Sequence, residues 1–366
     1  MIKVLVIDDS ALMRKLLGRV LADVAEFEVH FARNGTEGLE QLAAINPDVV
    51  TLDIHMPGMD GLACLDRIMI EHPRPVLMVS SSTRDGADVT LKALRLGAVD
   101  FALKPEGALS LHMEVFGPLF VAKVRAAAGA KLKASLRLRE RVQHRFRGSP
   151  SAPPRARGVA QAAERADGNG IVVVGTSTGG PPALELLLVA LPSTFPWPIV
   201  VAQHMPASFT GALARRLDGL CAIGVSEVAR PTVLEPGHAY IGRGDADVVI
   251  SKIAGDLAAA PAPADAGRPW HPSADRLVES AIAHVPPSLL IGILMTGMGD
   301  DGAGSMTRLR ALGGRTIAEA EETAVVWGMP GKLVEAGGAT WVLPLPNIAE
   351  QLRKLAPQHA PDPQRV

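Results

Sequence analysis

Short runs of β-branched and aliphatic residues recur along the chain, each followed by a turn and then by apolar positions at helical spacing. In the first 125 residues the runs are Lys3–Ile7, Glu28–Ala32, Val49–Leu52, Val76–Val79 and Phe101–Leu103, with helical periodicity over segments such as Ser10–Ala22 and Gly35–Ala44. Strands and helices alternating in this way predict a parallel sheet with helices on both faces. The alternation stops after about residue 125 and resumes at Ile171. Strands are then predicted at Ile171–Val174, Ile199–Ala202, His238–Ile241, Leu289–Met295, Arg315–Ala318 and Trp341–Leu343. Helices fall around Pro182–Leu191, Phe209–Leu217, Ala274–His284, Ala303–Leu312 and Lys332–Ala336. The stretch from Gly224 to Ile253, with turns at Glu235-Pro236-Gly237 and Gly242-Arg243-Gly244, is expected to form an inserted antiparallel ribbon. Residues 254–269, dense in Ala and Pro, are expected to be a surface loop.

This pattern divides the chain into an α/β domain at 1–125, a second α/β domain at 171–356, a linker at 126–170 and a disordered tail at 357–366. Both domains are expected to be doubly wound parallel sheets. The linker begins with the strongly basic Lys131 to Arg147 and continues rich in Pro, Gly, Ala and Ser without an apolar period, which favours a flexible connector. Its arginines lack a helix-turn-helix neighbour or interleaved aromatics, so solvation explains them better than nucleic-acid binding. A formal net charge of −1 on 366 residues adds no global pull toward nucleic acid or an anionic membrane. The two cysteines, Cys64 and Cys221, have no metal-ligand spacing and suit a reducing compartment. No apolar run approaches the roughly 20 residues a membrane helix needs, and MIKVLVIDDS turns acidic too soon for a signal peptide. A cytoplasmic protein without direct membrane insertion is the expectation.

Two groups of residues carry chemistry. Asp8 and Asp9 follow the first strand and Asp53 the third, so a parallel sheet brings three carboxylates to one edge, where open α/β folds place their sites. Carboxylates gathered there repel unless a cation lies between them, and hard oxygen ligands suit Mg²⁺. Ser80 and Lys104 follow the fourth and fifth strands. A metal, a hydroxyl and an ammonium at this rim would stabilise a phosphoryl group in transit to Asp53. Singly, the two N-terminal aspartates also read as helix caps and Lys104-Pro105 as a turn.

The second group begins with Ile171-Val172-Val173-Val174-Gly175-Thr176-Ser177-Thr178-Gly179-Gly180: a buried strand, a glycine-flanked serine, then a helix start. That arrangement exposes a serine hydroxyl at a sheet edge. His204 ends the next strand, and Asp301 lies just beyond the strand LLIGILM. If these strands are parallel neighbours, the three side chains meet as nucleophile, base and orienting acid. Their order along the chain, Ser then His then Asp, differs from that of lipase-type α/β-hydrolases. Singly, Ser177 reads as a helix cap and His204 as a satisfied turn histidine.

Both groups resemble known families. Asp8-Asp9-Ser10, Asp53-Ile54-His55-Met56-Pro57-Gly58-Met59-Asp60-Gly61, Ser80 and Lys104-Pro105 resemble the receiver domain of bacterial response regulators. The resemblance implies a flavodoxin-like fold and phosphorylation of Asp53 by a sensor histidine kinase. It also implies Mg²⁺ at the Asp8, Asp9 and Asp53 cluster, held by Asp9, Asp53 and the main-chain carbonyl of His55. His55 and Gly58 depart from the residues common there, Glu or Asn and Arg. The segments GTSTGG, Gln203-His204-Met205-Pro206, Pro236-Gly237-His238-Ala239-Tyr240-Ile241, Thr296-Gly297-Met298-Gly299-Asp300-Asp301-Gly302-Ala303 and Trp327-Gly328-Met329-Pro330 resemble chemotaxis protein-glutamate methylesterases. That implies a Rossmann-like catalytic domain that demethylates glutamates and deamidates glutamines on chemoreceptors, with no cofactor in the esterase site. It selects Asp301 over Asp300 as the acid and implicates the backbone of Met298, with Thr178, in the oxyanion hole. Gly242-Arg243-Gly244-Asp245-Ala246-Asp247 departs from the alanine-proline-glycine and basic pattern usual after the tyrosine.

Three other readings have specific discriminators. A nucleotide-binding second domain would use the glycines around Ser177 as a phosphate cradle, but the G-x-G-x-x-G spacing and a ribose-binding acid are missing. A DNA-binding output would shift DNA at physiological salt. The same esterase chemistry in a non-swimming chemosensory pathway would leave these motifs unchanged.

Overall fold

The computed structural model describes residues 1–80, 84–105, 109–131 and 170–356. Most of the expected linker and all of the expected tail lie outside the described residues. The first domain runs β1 (Ile2–Ile7), α1 (Ala11–Ala22), β2 (Phe27–Ala32), α2 (Gly35–Ile45), β3 (Val49–Asp53), α3 (Gly61–Glu71), β4 (Val76–Ser80), α4 (Arg84–Leu96), β5 (Asp100–Leu103) and α5 (Leu109–Ala128). Helix α5 continues into the segment expected as linker. Its five strands form one sheet in the order β2-β1-β3-β4-β5, every pair parallel. Alternate residues of the central strands face opposite sides. Leu5, Ile7, Val50 and Leu52 pack with Leu39 of α2 and Leu65 of α3, whereas Val4, Val6 and Leu77 pack with Leu17 of α1 and Phe120 of α5. Helices therefore cover both faces, as the alternation predicts.

The second domain continues with β6 (Ile171–Thr176), α6 (Gly180–Val189), β7 (Ile199–Gln203), α7 (Ala207–Asp218), β8 (Gly224–Val228), β9 (Thr232–Val233), β10 (His238–Gly242), β11 (Ala246–Ile253) and β12 (Asp256–Pro263). Then come α8 (Ala274–His284), β13 (Leu290–Leu294), α9 (Ala303–Ala311), β14 (Arg315–Glu319), α10 (Met329–Glu335), β15 (Trp341–Leu343) and α11 (Leu345–Leu355). Seven strands form a parallel sheet in the order β15-β14-β13-β6-β7-β10-β8. From β6 the chain winds out through β7 in one direction, and later crosses to β13 on the other side. That reversal makes the carboxyl ends of β7, β6 and β13 the edge at which open α/β sheets place their sites.

Two expectations are corrected here. Strands β8 and β10 belong to the large parallel sheet, not to an antiparallel ribbon; the ribbon is β11 with β12, and β9 pairs on the outer side of β12. The stretch expected as a surface loop thus contains a strand. Ala258 and Ala259 are buried with Val248 and Ile250, so small side chains there fill a core without showing polar–apolar alternation. Beyond the β9 contact at Ala258 and Ala259, Pro261 and Pro263 stand where that edge of β12 is unpaired and a missing N–H costs nothing.

The two domains touch. Helix α4 packs on α6 and α7, Phe101 stacks on Phe209 with ring centroids 4.5 Å apart, and Arg95 lies 3.8 Å from Glu185.

Candidate active site

Ser177 leaves the end of β6 at a turn its sequence makes possible. Its N–H donates to the Thr296 carbonyl (3.0 Å) and the Gly180 N–H closes back onto its own carbonyl (2.8 Å). Gly179 sits at φ +77°, a left-handed conformation that favours glycine. A side chain at Gly180 would collide with the Gln203 amide and the Thr176 hydroxyl. The two glycines are therefore required by geometry. Gln203 fastens the neighbouring strand to this turn, its Nε2 donating to the carbonyls of Ser177 (3.0 Å) and His204 (3.1 Å).

Because Thr176 pairs with Gln203 and Leu294 with Gly175, the residues following β7, β6 and β13 emerge side by side. The structure joins two of the three candidates directly: His204 Nε2 lies 2.8 Å from Asp301 Oδ2. Ser177 stands at the adjacent strand end, but its bond to the ring is not formed: the other ring nitrogen, Nδ1, is buried and has no partner among the described residues. With Nε2–H committed to the carboxylate, Nδ1 carries the lone pair. This is opposite to the trypsin-type arrangement, in which the acid holds Nδ1–H.

Asp301 is set at the N-terminus of α8. Its Oδ1 accepts from the Ser273 hydroxyl (2.9 Å) and the Asp275 N–H (3.0 Å), and its Oδ2 also accepts from the Ala274 N–H (2.6 Å). Burial alone would raise its pKa, but the hydrogen bond and charge of His204, with the two N–H groups, hold it below the usual carboxylate value. The neighbouring Asp300 is exposed. The N–H groups of Thr178 and Met298 donate to no other group among the described residues. The turn bearing Met298 is braced by Glu319, a fully buried carboxylate at the end of β14 that accepts from the Thr296 N–H (2.8 Å) and the Thr323 hydroxyl (3.0 Å). Ser273 and Glu319 lie outside the motifs, and Gln203, which lies in one, takes no role from the motif alone. Glu319 shares one signal with Asp301, its place at the carboxyl end of a strand on this edge.

The first domain gathers the carboxylates expected of it. One oxygen each of Asp8, Asp9 and Asp53 lies within 4.8 Å of the others. Lys104 Nζ reaches Asp53 Oδ2 at 2.8 Å and Asp8 Oδ2 at 3.1 Å. Burial, and repulsion from Asp53 against the pull of Lys104, raise the Asp8 pKa. The Ser80 hydroxyl accepts from Thr90 of α4 (2.9 Å). His55 is exposed after β3, with its N–H on Asp53 Oδ1 (3.2 Å).

The first domain also reaches the Ser177 turn. Asp100, at the start of β5, accepts from the Thr178 hydroxyl (2.6 Å) and from Lys123 Nζ (2.7 Å).

A family model for the CheB methylesterase matches residues 172–352, and one for the response regulator receiver domain matches residues 4–116. A protein-glutamate methylesterase/protein-glutamine glutaminase 2 of Rhodopseudomonas palustris is 56% identical over 353 residues, spanning 95% of this chain and 96% of its own. The chain belongs to the protein-glutamate methylesterase family. A methylesterase/glutaminase 3 of Rhodospirillum rubrum is 50% identical over 362 residues, spanning 96% of this chain and 95% of its own. The solved methylesterase catalytic domain of Thermotoga maritima, 39% identical, covers 51% of this chain and 98% of its own, with a TM-score of 0.49. In this methylesterase the receiver model coincides with the five-stranded sheet and the catalytic model with the seven-stranded one. Among the described residues no helix is long and apolar enough to cross a membrane.

Proposed function

We propose that the chain hydrolyses glutamate γ-methyl esters on the helices of chemoreceptors, and deamidates glutamines at such positions, under control of its receiver domain. The observation that carries this reading is the His204–Asp301 pair at the strand end adjacent to Ser177, with Nδ1 buried and without a partner among the described residues. Ser177 Oγ attacks the γ-carbonyl carbon and its proton passes to His204 Nδ1. The carbonyl oxygen takes up negative charge and is held by the N–H groups of Thr178 and Met298. The intermediate collapses, the C–O bond to the methoxy group breaks, and His204 returns the proton to give methanol. Water, deprotonated by His204, then cleaves the glutamyl ester to glutamate and free Ser177. With a glutamine the same steps expel ammonia.

Asp53 is the phosphoryl acceptor in this reading, from a sensor histidine kinase. The donor set of Asp9, Asp53 and the His55 carbonyl beside Asp8 fits Mg²⁺, because the cluster is all oxygen and sets three carboxylates against the one ammonium of Lys104. Bound there, Mg²⁺ would neutralise charge on the incoming phosphoryl group. Lys104 stabilises the same group and Ser80 donates its hydroxyl to it.

Methanol release from a methylated receptor, with and without a small phosphodonor, tests both halves. The Ser177→Ala variant is expected to keep only the contribution of binding and the oxyanion donors, about 10³–10⁴ over water. Asp53→Asn is expected to keep the basal rate and lose the response to phosphodonor. Wild-type turnover in the first variant, or a full response in the second, would contradict the reading.

A further inference from the structure

The face of the His204 ring is covered by a residue to which the mechanism above gives no part. The indole of Trp270 lies against the imidazole with ring centroids 5.5 Å apart and planes only 8° from parallel. Its Nε1 approaches Gly299, next to Met298, within 3.4 Å of where a Cβ on that glycine would stand. The half-buried indole therefore bridges the base and the turn that carries both the oxyanion donor and Asp301.

What places the indole there is a buried carboxylate. Asp247, near the start of β11, is fully buried, and it accepts from His271 Nδ1 (2.9 Å), the Ser273 N–H (2.7 Å), Arg276 (2.6 Å) and the Asp265 N–H (3.2 Å). The chain is thus pinned to one side chain on both sides of Trp270. Burial would raise the Asp247 pKa, but the bonds from His271, Ser273 and Arg276 outweigh it and hold the group ionised. Asp247 also lies in the segment where the chain departs from the methylesterase pattern.

During turnover the proton passes from Ser177 Oγ to His204 Nδ1 and on to the methoxy oxygen, so the ring is cationic only between those transfers. Asp301 meets that charge at the ring edge, with Asp275 behind it and the Arg268 guanidinium acting on the same carboxylate. The face is left to the indole, whose quadrupole attracts a cation within about 6 Å of its centroid and a neutral ring far less. Such an interaction is stronger in the transition state than in the ground state and acts on kcat.

We propose that Trp270 is a positioning residue whose indole face stabilises the imidazolium of His204, and that Asp247, through His271 and Ser273, holds the indole in place. This rests on His204 being the base for Ser177.

The test uses the full chain with phosphodonor and methylated receptor. In Trp270→Leu, kcat is expected to fall roughly 3- to 30-fold at unchanged KM, while Trp270→Phe keeps most of the rate. Asp247→Asn should lower kcat in the same way and add little to Trp270→Leu when the two are combined. Replacing tryptophan by 5-fluorotryptophan weakens the quadrupole without altering shape. It should lower kcat in the wild type and not in Trp270→Phe, which keeps the question open if the leucine variant does not fold. Unchanged kcat in Trp270→Leu, a rise in KM alone, a phenylalanine variant as slow as the leucine one, or full additivity with Asp247→Asn would each overturn the proposal. Activity surviving in Ser177→Ala would instead overturn the nucleophile assignment beneath it.

Discussion

At the scale of single residues, the site depends on which proton sits where. Asp301 receives four hydrogen bonds, and only one of them comes from His204. The other three fix the carboxylate on the α8 N-terminus, so it orients the ring with little freedom to move. Asp301→Asn keeps the shape but presents an amide that can donate to Nε2, which would place the ring proton on Nδ1 and remove the base. A fall in kcat of about 10⁴ is expected, as for the equivalent change in serine proteases. The same substitution has a stability signature with a definite sign. The folded-state pKa of Asp301 is depressed, so its contribution is present above the unfolded value of about 3.9 and is lost as pH falls through the lower folded value. Thermal melts should show wild type more stable than Asp301→Asn at neutral pH, with the gap closing only in acid below that value. A gap independent of pH would contradict the ionic role.

At the scale of elements, the site is a consequence of parallel strands ending on one edge. That much was legible: β6, β7 and β13 are built largely of buried aliphatic residues, Ser177 and His204 directly follow the first two, and Asp301 follows β13 after six residues. The same logic, applied to β1, β3, β4 and β5, places Asp8, Asp53, Ser80 and Lys104 on one rim. Where pattern reading failed, the side chains carried little contrast. In β12 the sequence DLAAAPAP has no polar–apolar alternation, and its strand character comes from pairing with β11. Strands β8 and β10 lie close together in sequence, which suggests a hairpin, yet β10 inserts between β8 and β7 in the parallel sheet. Helix α11 is a different case. Leu345, Ile348, Ala349 and Leu352 have helical spacing and are buried, so the signal was present beyond the last strand read. The supporting residues were hidden for another reason: Gln203, Ser273, Asp247 and Glu319 bond to groups of distant segments, a pairing that sequence neighbours do not record.

At the scale of the whole molecule, the receiver is in contact with Thr178, the residue that follows Ser177. Asp100 and Lys104 stand at opposite ends of β5, separated by about 13 Å at 3.3 Å per residue. One holds Thr178 and the other holds Asp53. A second route runs from Ser80 through Thr90 to α4, which packs on α6 and α7. A phosphoryl group on Asp53 that drew in Ser80 and Lys104 would disturb both. Asp100→Ala removes the contact with the Thr178 hydroxyl while leaving Asp53, Ser177, His204 and Asp301 themselves unaltered. Basal methanol release should rise a few-fold, up to about tenfold for one hydrogen bond of typical net strength, with the phosphodonor-stimulated rate unchanged. An unaltered basal rate would show that this contact does not restrain the receiver. All of this presupposes that Ser177 is the attacking atom. The most direct measurement is mass spectrometry of the phosphodonor-activated chain after reaction with a serine-directed fluorophosphonate. One adduct on Ser177 is expected, lost in Ser177→Ala and strongly slowed in His204→Gln; an adduct at another residue, or equal labelling of Ser177→Ala, would contradict the account.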